Sequence, residues 1–165
     1  MGMNMGMTLV QGATVEDLAA VGLRATGVLS SAEQASVSPD PQMVVARQID
    51  GWLVLVEPGT LVAAEDETLS SALHRRVVAA LFGSTSDTYS FAVCEVDRTR
   101  RHLVDSMGER VVDEGASLPQ ENRVETLAED TMIDLLGEVA GVNVWPAFAA
   151  PDWEVLAGGG PTTAM

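Results

Sequence analysis

The ten residues "DGWLVLVEPG", 50 to 59, carry five successive apolar positions from Trp52 to Val56. A strand with that pattern is apolar on both alternating faces, which predicts a central strand covered on both sides. The preceding "MVVARQI" supplies a partner, and Asp50-Gly51 between them suits a tight hairpin turn with positive φ. Further on, "TYSFAVCEV", "RRHLVDS" and "ERVVDEG" predict a three-strand meander, with turn residues at 97–99 and at Met107-Gly108.

Other stretches carry helical spacing. In "TVEDLAAVGLRATG", Thr14 is an N-cap candidate with Asp17 three residues on, and Val15, Leu18, Ala19 and Gly22 fall along one face. The polar "SSAEQASVSPDPQ" has room for one helical turn at 32–35 before its two prolines. In "EDETLSSALHRRVVAALFG", Leu69, Leu73, Val77 and Leu81 recur every four residues, acids sit at the start and Gly83 stands at the end. The last helix is expected from Glu121 to Ala140, with Leu127, Thr131, Leu135 and Val139 opposing a strongly acidic face.

These elements predict an α+β fold: a mostly antiparallel sheet of about five strands, with about three helices packed mainly on one face. Residues 13–156 are expected to form a single domain. Residues 1–12 read as a mobile N-terminus, although "MTLVQG" has the composition of a short strand, and 157–165 as a flexible tail. Trp145, Phe148 and Trp153 fall in an irregular C-terminal stretch.

Composition narrows the function classes. With 47% apolar and 20% charged residues the chain is globular rather than disordered. A formal charge of −15 repels nucleic-acid backbones and suits a basic protein partner, or simple solubility. All nine basic residues are arginine and isoleucine occurs only at Ile49 and Ile133, a choice that a GC-rich genome would encode. One cysteine excludes an internal disulfide and a multi-cysteine metal site. The start of the chain lacks the charge and apolar run of a secretory signal, and no stretch reaches the roughly 20 apolar residues of a membrane span. A cytoplasmic protein is expected, with no membrane and no nucleic acid among its partners.

The segments from Val10 to Leu23, Gly51 to Gly59 and Tyr89 to Val104 together resemble a family of uncharacterised actinobacterial proteins with a "GGWTVAVEPNG"-like strand motif. Gly59 stands where the family has Asn, and "DRTR" replaces its "DG" turn. The family's function is not established, so the resemblance implies fold and source and carries over no catalytic residue.

Among single residues, Glu57 at the end of the central strand is a candidate acid or base, and equally the first wetted position beyond a buried run. Cys94 and His102 form a thiol and imidazole pair on adjacent strands, with Asp105 as an orienting acid; the same cysteine fits a buried core position. The trio His74, Arg75 and Arg76, and the cluster "DRTRRH" with Arg98, Arg100 and Arg101, are candidate anion or acid binders, or solvated charge. No histidine spacing suits a metal, and "AGGGP" opens no helix, so neither metal nor cofactor is expected. The strongest nonlocal feature is acidity: Glu125 and Glu129, and separately Asp130, Asp134 and Glu138, are spaced by four.

The resulting expectation is a non-catalytic binding protein that engages a protein partner through its acidic surface, for instance an immunity-type inhibitor of a basic toxin or nuclease. Two alternatives stand beside it. One is a self-associating, homo-oligomeric protein using the C-terminal aromatics. The other is a small enzyme using Glu57 with His102 or an arginine.

Overall fold

A computed structural model describes residues 3–158. Among these residues nine strands are formed: β1 (Asn4–Gln11), β2 (Arg24–Ser30), β3 (Val44–Ile49), β4 (Trp52–Glu57), β5 (Val77–Gly83), β6 (Thr88–Cys94), β7 (Arg100–Ser106), β8 (Glu109–Glu114) and β9 (Trp153–Ala157). They make one sheet in the order β2-β9-β3-β4-β1-β5-β6-β7-β8, every adjacent pair antiparallel. The helices are small: α1 (Ala32–Ser36), α2 (Asp66–Leu73), α3 (Glu129–Ala140), and short 3-10 turns at Glu16–Val21, Pro119–Arg123 and Trp145–Ala147.

This corrects the expectation of about five strands with helices mainly on one face. Both faces of the sheet are covered. One face presents Met7, Leu9, Val54, Val56, Val78 and Phe91 to α1, α3 and the segment after α3. The other presents Val10, Leu53, Leu55 and Val77 to the 16–21 turn and α2. Each of these fully buried side chains contributes about 1.5–3 kcal/mol relative to exposure.

The hairpin of β3 and β4 forms around Asp50 and Gly51, both at positive φ, and β4 is buried at every position. The meander β6-β7-β8 also forms, and it joins the hairpin in one sheet through β1 and β5. The centre of that sheet is β1. Residues 4–11, expected to be mobile, are buried from Met5 to Val10 and pair with β4 and β5. Gly6 is required there, because a Cβ would stand 2.6 Å from the Gly59 carbonyl oxygen.

Other segments also differ from their expected elements: the helix expected over 14–27 is a 3-10 turn at Glu16–Val21 that Gly22 ends in a left-handed conformation, and β2 follows from Arg24. The helix expected over 65–83 stops at His74, which adopts a left-handed conformation, and β5 begins at Val77. A spacing of four residues is two strand periods as well as about one helical turn, so Leu69, Val77 and Leu81 satisfied both templates. The helix expected from Glu121 is broken: a 3-10 turn ends at Arg123, an extended stretch follows, and α3 starts at Glu129. The irregular C-terminal segment contains β9, inserted between β2 and β3. The tail expected over 157–165 lies, from 159 on, outside the described residues. Among the described residues no helix is long and apolar enough to cross a membrane.

Trp153 anchors β9. It is fully buried and its indole N–H donates to the Ala147 carbonyl at 2.8 Å. Trp153→Ala should therefore lower unfolding free energy by about 3–5 kcal/mol in urea titrations. Val28→Ala, on the exposed edge strand, should change it by no more than about 0.5 kcal/mol.

Candidate functional site

The basic cluster of the β6-β7 hairpin is turned inward, not outward. Arg100 and Arg101 are neighbours on β7, so they project to opposite faces. On one face Arg100 grips buried Asp66 of α2 with two bonds of 2.9 Å. On the other, Arg101 forks onto Glu121 at 2.7 and 2.8 Å and reaches Asp113 at 2.5 Å and the Gly115 carbonyl at 3.0 Å. Bonding to Arg101 holds the Glu121 carboxyl below its ordinary range. Asp105, beside them, accepts from Arg110 and from the Leu127 backbone N–H. These pairs fasten the 115–128 segment onto the end of the sheet. Arg98 alone of the cluster faces solvent, at positive φ in the hairpin turn, where it donates to Ser71.

Glu57 is 1% exposed. One carboxylate oxygen accepts the backbone N–H groups of Val62 and Ala63, each at 2.9 Å, so the side chain ties the loop after β4 back onto the sheet. The other oxygen, Oε1, has no hydrogen-bond partner among the described residues, and neither does Thr8 Oγ1, which lies diagonally across β1 on the same face. Burial pushes the carboxyl above its ordinary 4.5, against the opposing pull of the loop N–H groups. Glu57 and His102 are not brought together: β4 and β7 are separated by β1, β5 and β6, roughly 19 Å at about 4.8 Å per strand.

Nor do Cys94, His102 and Asp105 converge. Cys94 is buried, and burial pushes its thiol up. Asp105 projects to the face opposite His102. His102 instead stands between Ser90 Oγ, 3.3 Å from Nε2, and Glu114 Oε1, 3.8 Å from Nδ1. Burial, assisted by Arg100, lowers its pKa and favours the neutral ring. β6 is paired on both sides along its length, with β5 and with β7.

The acidic residues of the last helix divide in two. Glu129 is turned inward, where it accepts from Ser84 Oγ and, at 2.8 Å, from the Met3 backbone N–H. Asp130, Asp134 and Glu138 are exposed along one ridge of α3, about 6 Å apart per turn. Glu125 is exposed just before the helix. Among the described residues the single ionic contact of this ridge is Arg123 to Glu138, at 3.8 Å and largely exposed. Like charges four residues apart each cost a helix about 0.2–0.5 kcal/mol.

Beside this ridge runs a cleft of about 580 Å³. Ile133, Leu136, Gly137, Val142, Val144 and Trp145 line it, with Met7 and Leu9 of β1 beneath and Asp134, Glu138 and Asn143 at the rim. Trp145 packs on Phe148 with ring centroids 5.0 Å apart, which holds one wall. Gly137 is a residue that the helical pattern alone marks as unusual, since glycine costs about 1 kcal/mol relative to alanine inside a helix. No crowding requires it, because a Cβ there would meet nothing closer than the Val142 carbonyl oxygen at 3.8 Å.

Fold and site together define a large antiparallel sheet covered on both faces, with an apolar surface cleft bordered by carboxylates. No protein-family model, curated protein or solved structure matches the chain.

Two outcomes test the internal electrostatics. Arg101→Ala leaves the mostly buried Glu121 without its arginine and should cost about 3–5 kcal/mol in urea unfolding, while Arg98→Ala should be nearly neutral. For Glu57, the folded chain holds its proton to higher pH than the unfolded chain does, so its contribution to stability falls as pH rises above 4.5. Glu121 acts in the opposite sense, contributing stability above its ordinary 4.5 that is lost as pH falls through its lowered folded value. Unfolding titrations from pH 3 to 8 should show the downward limb removed in Glu57→Gln and the upward limb weakened in Glu121→Gln.

Proposed function

We propose that the chain is a non-catalytic cytoplasmic binding protein that engages a basic protein partner through α3. The observation that carries this reading is the division of charge. The carboxylates of Asp66, Asp105, Asp113 and Glu121 are matched by arginines within the fold. Those of Asp130 and Asp134 have no ion-pair partner among the described residues, and that of Glu138 has one distant, exposed arginine. A ridge of one sign attracts a partner of the other and fixes its orientation. An immunity-type inhibitor of a basic toxin or nuclease is one concrete form of such a protein. Self-association through the C-terminal aromatics has less to draw on, because Trp153 is spent in the chain's own core and Trp145 packs on Phe148.

A partner isolated from the native host on the wild-type chain, then identified and purified, should bind at least tenfold more weakly in 0.5 M than in 0.05 M NaCl. A comparable loss is expected for the combined variant Asp130→Asn, Asp134→Asn, Glu138→Gln at low salt. That variant should melt close to the wild type, since the repulsion it removes offsets the lost charge of Asp130 in the first helical turn. Unchanged affinity in the folded variant overturns the reading.

A further inference from the structure

Resting on that reading, we infer that the cleft between α3 and residues 141–145 receives one large apolar side chain of the partner, flanked by arginine or lysine. Three independent features converge on this occupant. The first is shape and chemistry: a concave space of about 580 Å³ opens beside α3, with half-buried Ile133 and Trp145 at its surface and buried Leu136, Val142 and Val144 among its lining. Such a space holds a large side chain and leaves its backbone at the rim. The second is Gly137. A helix interior favours almost any residue over glycine, and the 3.8 Å clearance to the Val142 carbonyl leaves a Cβ room. Gly137 lines the cleft, so a longer side chain at this position would take up part of its space. The third is the rim. Asp134 and Glu138 both line the cleft and both belong to the exposed ridge. A partner segment seated here presents its flanking side chains to two carboxylates, which selects basic neighbours and rejects acidic ones.

Recognition then has two separable parts. The ridge supplies attraction at a distance and depends on salt. The cleft supplies the short-range anchor, and its occupation depends on the apolar side chain itself. Asn143 at the rim accepts the Trp145 backbone N–H through Oδ1 at 3.2 Å, which leaves its amide N–H groups for the bound segment's backbone.

The test uses three synthetic peptides titrated into the full-length protein at low salt: acetyl-Arg-Trp-Arg-amide, acetyl-Arg-Gly-Arg-amide and acetyl-Glu-Trp-Glu-amide. Binding is followed by the amide NMR signals of residues 130–145. The first peptide should saturate shifts at Gly137, Gly141, Asn143 and Trp145, and the other two should bind at least tenfold more weakly. Gly137→Leu fills the cleft and should abolish that saturation, with the circular dichroism and melting temperature of the wild type retained. If the two arginine peptides bind equally, with shifts confined to Asp130, Asp134 and Glu138, the anchor is overturned while the charge reading stands. If the glutamate peptide binds as well as its arginine counterpart, the role of the rim is overturned. If none of the peptides saturates the cleft signals, the inference fails whatever the native partner's salt dependence. The peptide comparison is made on the wild-type chain, so a poorly folding Gly137→Leu would not rescue the idea.

Discussion

Everything in this fold depends on β1 being hydrogen bonded on both edges and covered on both faces. Gly6 to Gln11 pair with β4 on one side and Asn4 to Val10 with β5 on the other, so Gly6 to Val10 lie between two ladders. A strand in that position forces the rest of the chain to supply two layers. The 16–21 turn and α2 make one; α1, α3 and the segment that follows make the other. Glu57 belongs to this constraint. It sits where the loop leaving β4 must fold back over Gly6, and its carboxylate gathers the loop's N–H groups at the point where the ladder can no longer do so.

Charge is distributed according to the same demand for cover. A sheet end carrying β7 and β8 has little apolar material to lay over it, and the chain closes it with arginine forks instead. Buried guanidinium and carboxylate groups of this kind are weak contributors when compared with an apolar core, but removing one partner is costly. They place the 115–128 segment, and that segment leads directly into α3. The outward acids of α3 are thus displayed on a support held by the inward ones. Glu129 shows the boundary: one residue before Asp130, it is consumed by Ser84 and the Met3 backbone.

The parts of the fold that were legible in the sequence were those set by local chemistry. Asp50-Gly51 dictates a tight turn, and the β6 to β8 segments are punctuated by turn residues, so hairpin and meander could both be read. β1 was obscured because Gly6 and Thr8 interrupt its apolar pattern, and the reason for Gly6 lies in a loop more than fifty residues away. The 77–83 strand was hidden by the coincidence of helical and strand periods at a spacing of four. Of the candidate site, the ridge of Asp130, Asp134 and Glu138 follows from the sequence alone. The inward turn of Glu129 and the capture of Arg100 and Arg101 by Asp66 and Glu121 do not, because each depends on a partner distant along the chain. The cleft was invisible for the same reason, since it exists only when residues 141–145 fold back beside α3 over Met7 and Leu9.

The place of β9 in the sheet sets the order in which the molecule can be completed. Among the described residues β2 pairs with β9 alone, through partners such as Ser30 with Trp153, and β3 also takes β9 as its outer neighbour. During synthesis β2 leaves the ribosome early and then has no ladder to join until residues beyond 150 are made. The sheet can therefore grow from its centre toward β8 while the chain is still being extended, but its opposite edge waits for the last strand. Pairings between such distant segments are slow to form, because a long loop must be closed before any bond is gained. Until then β3 is an open edge with an apolar face, and the nascent chain depends on prompt arrival of Trp153 to avoid pairing with its neighbours instead.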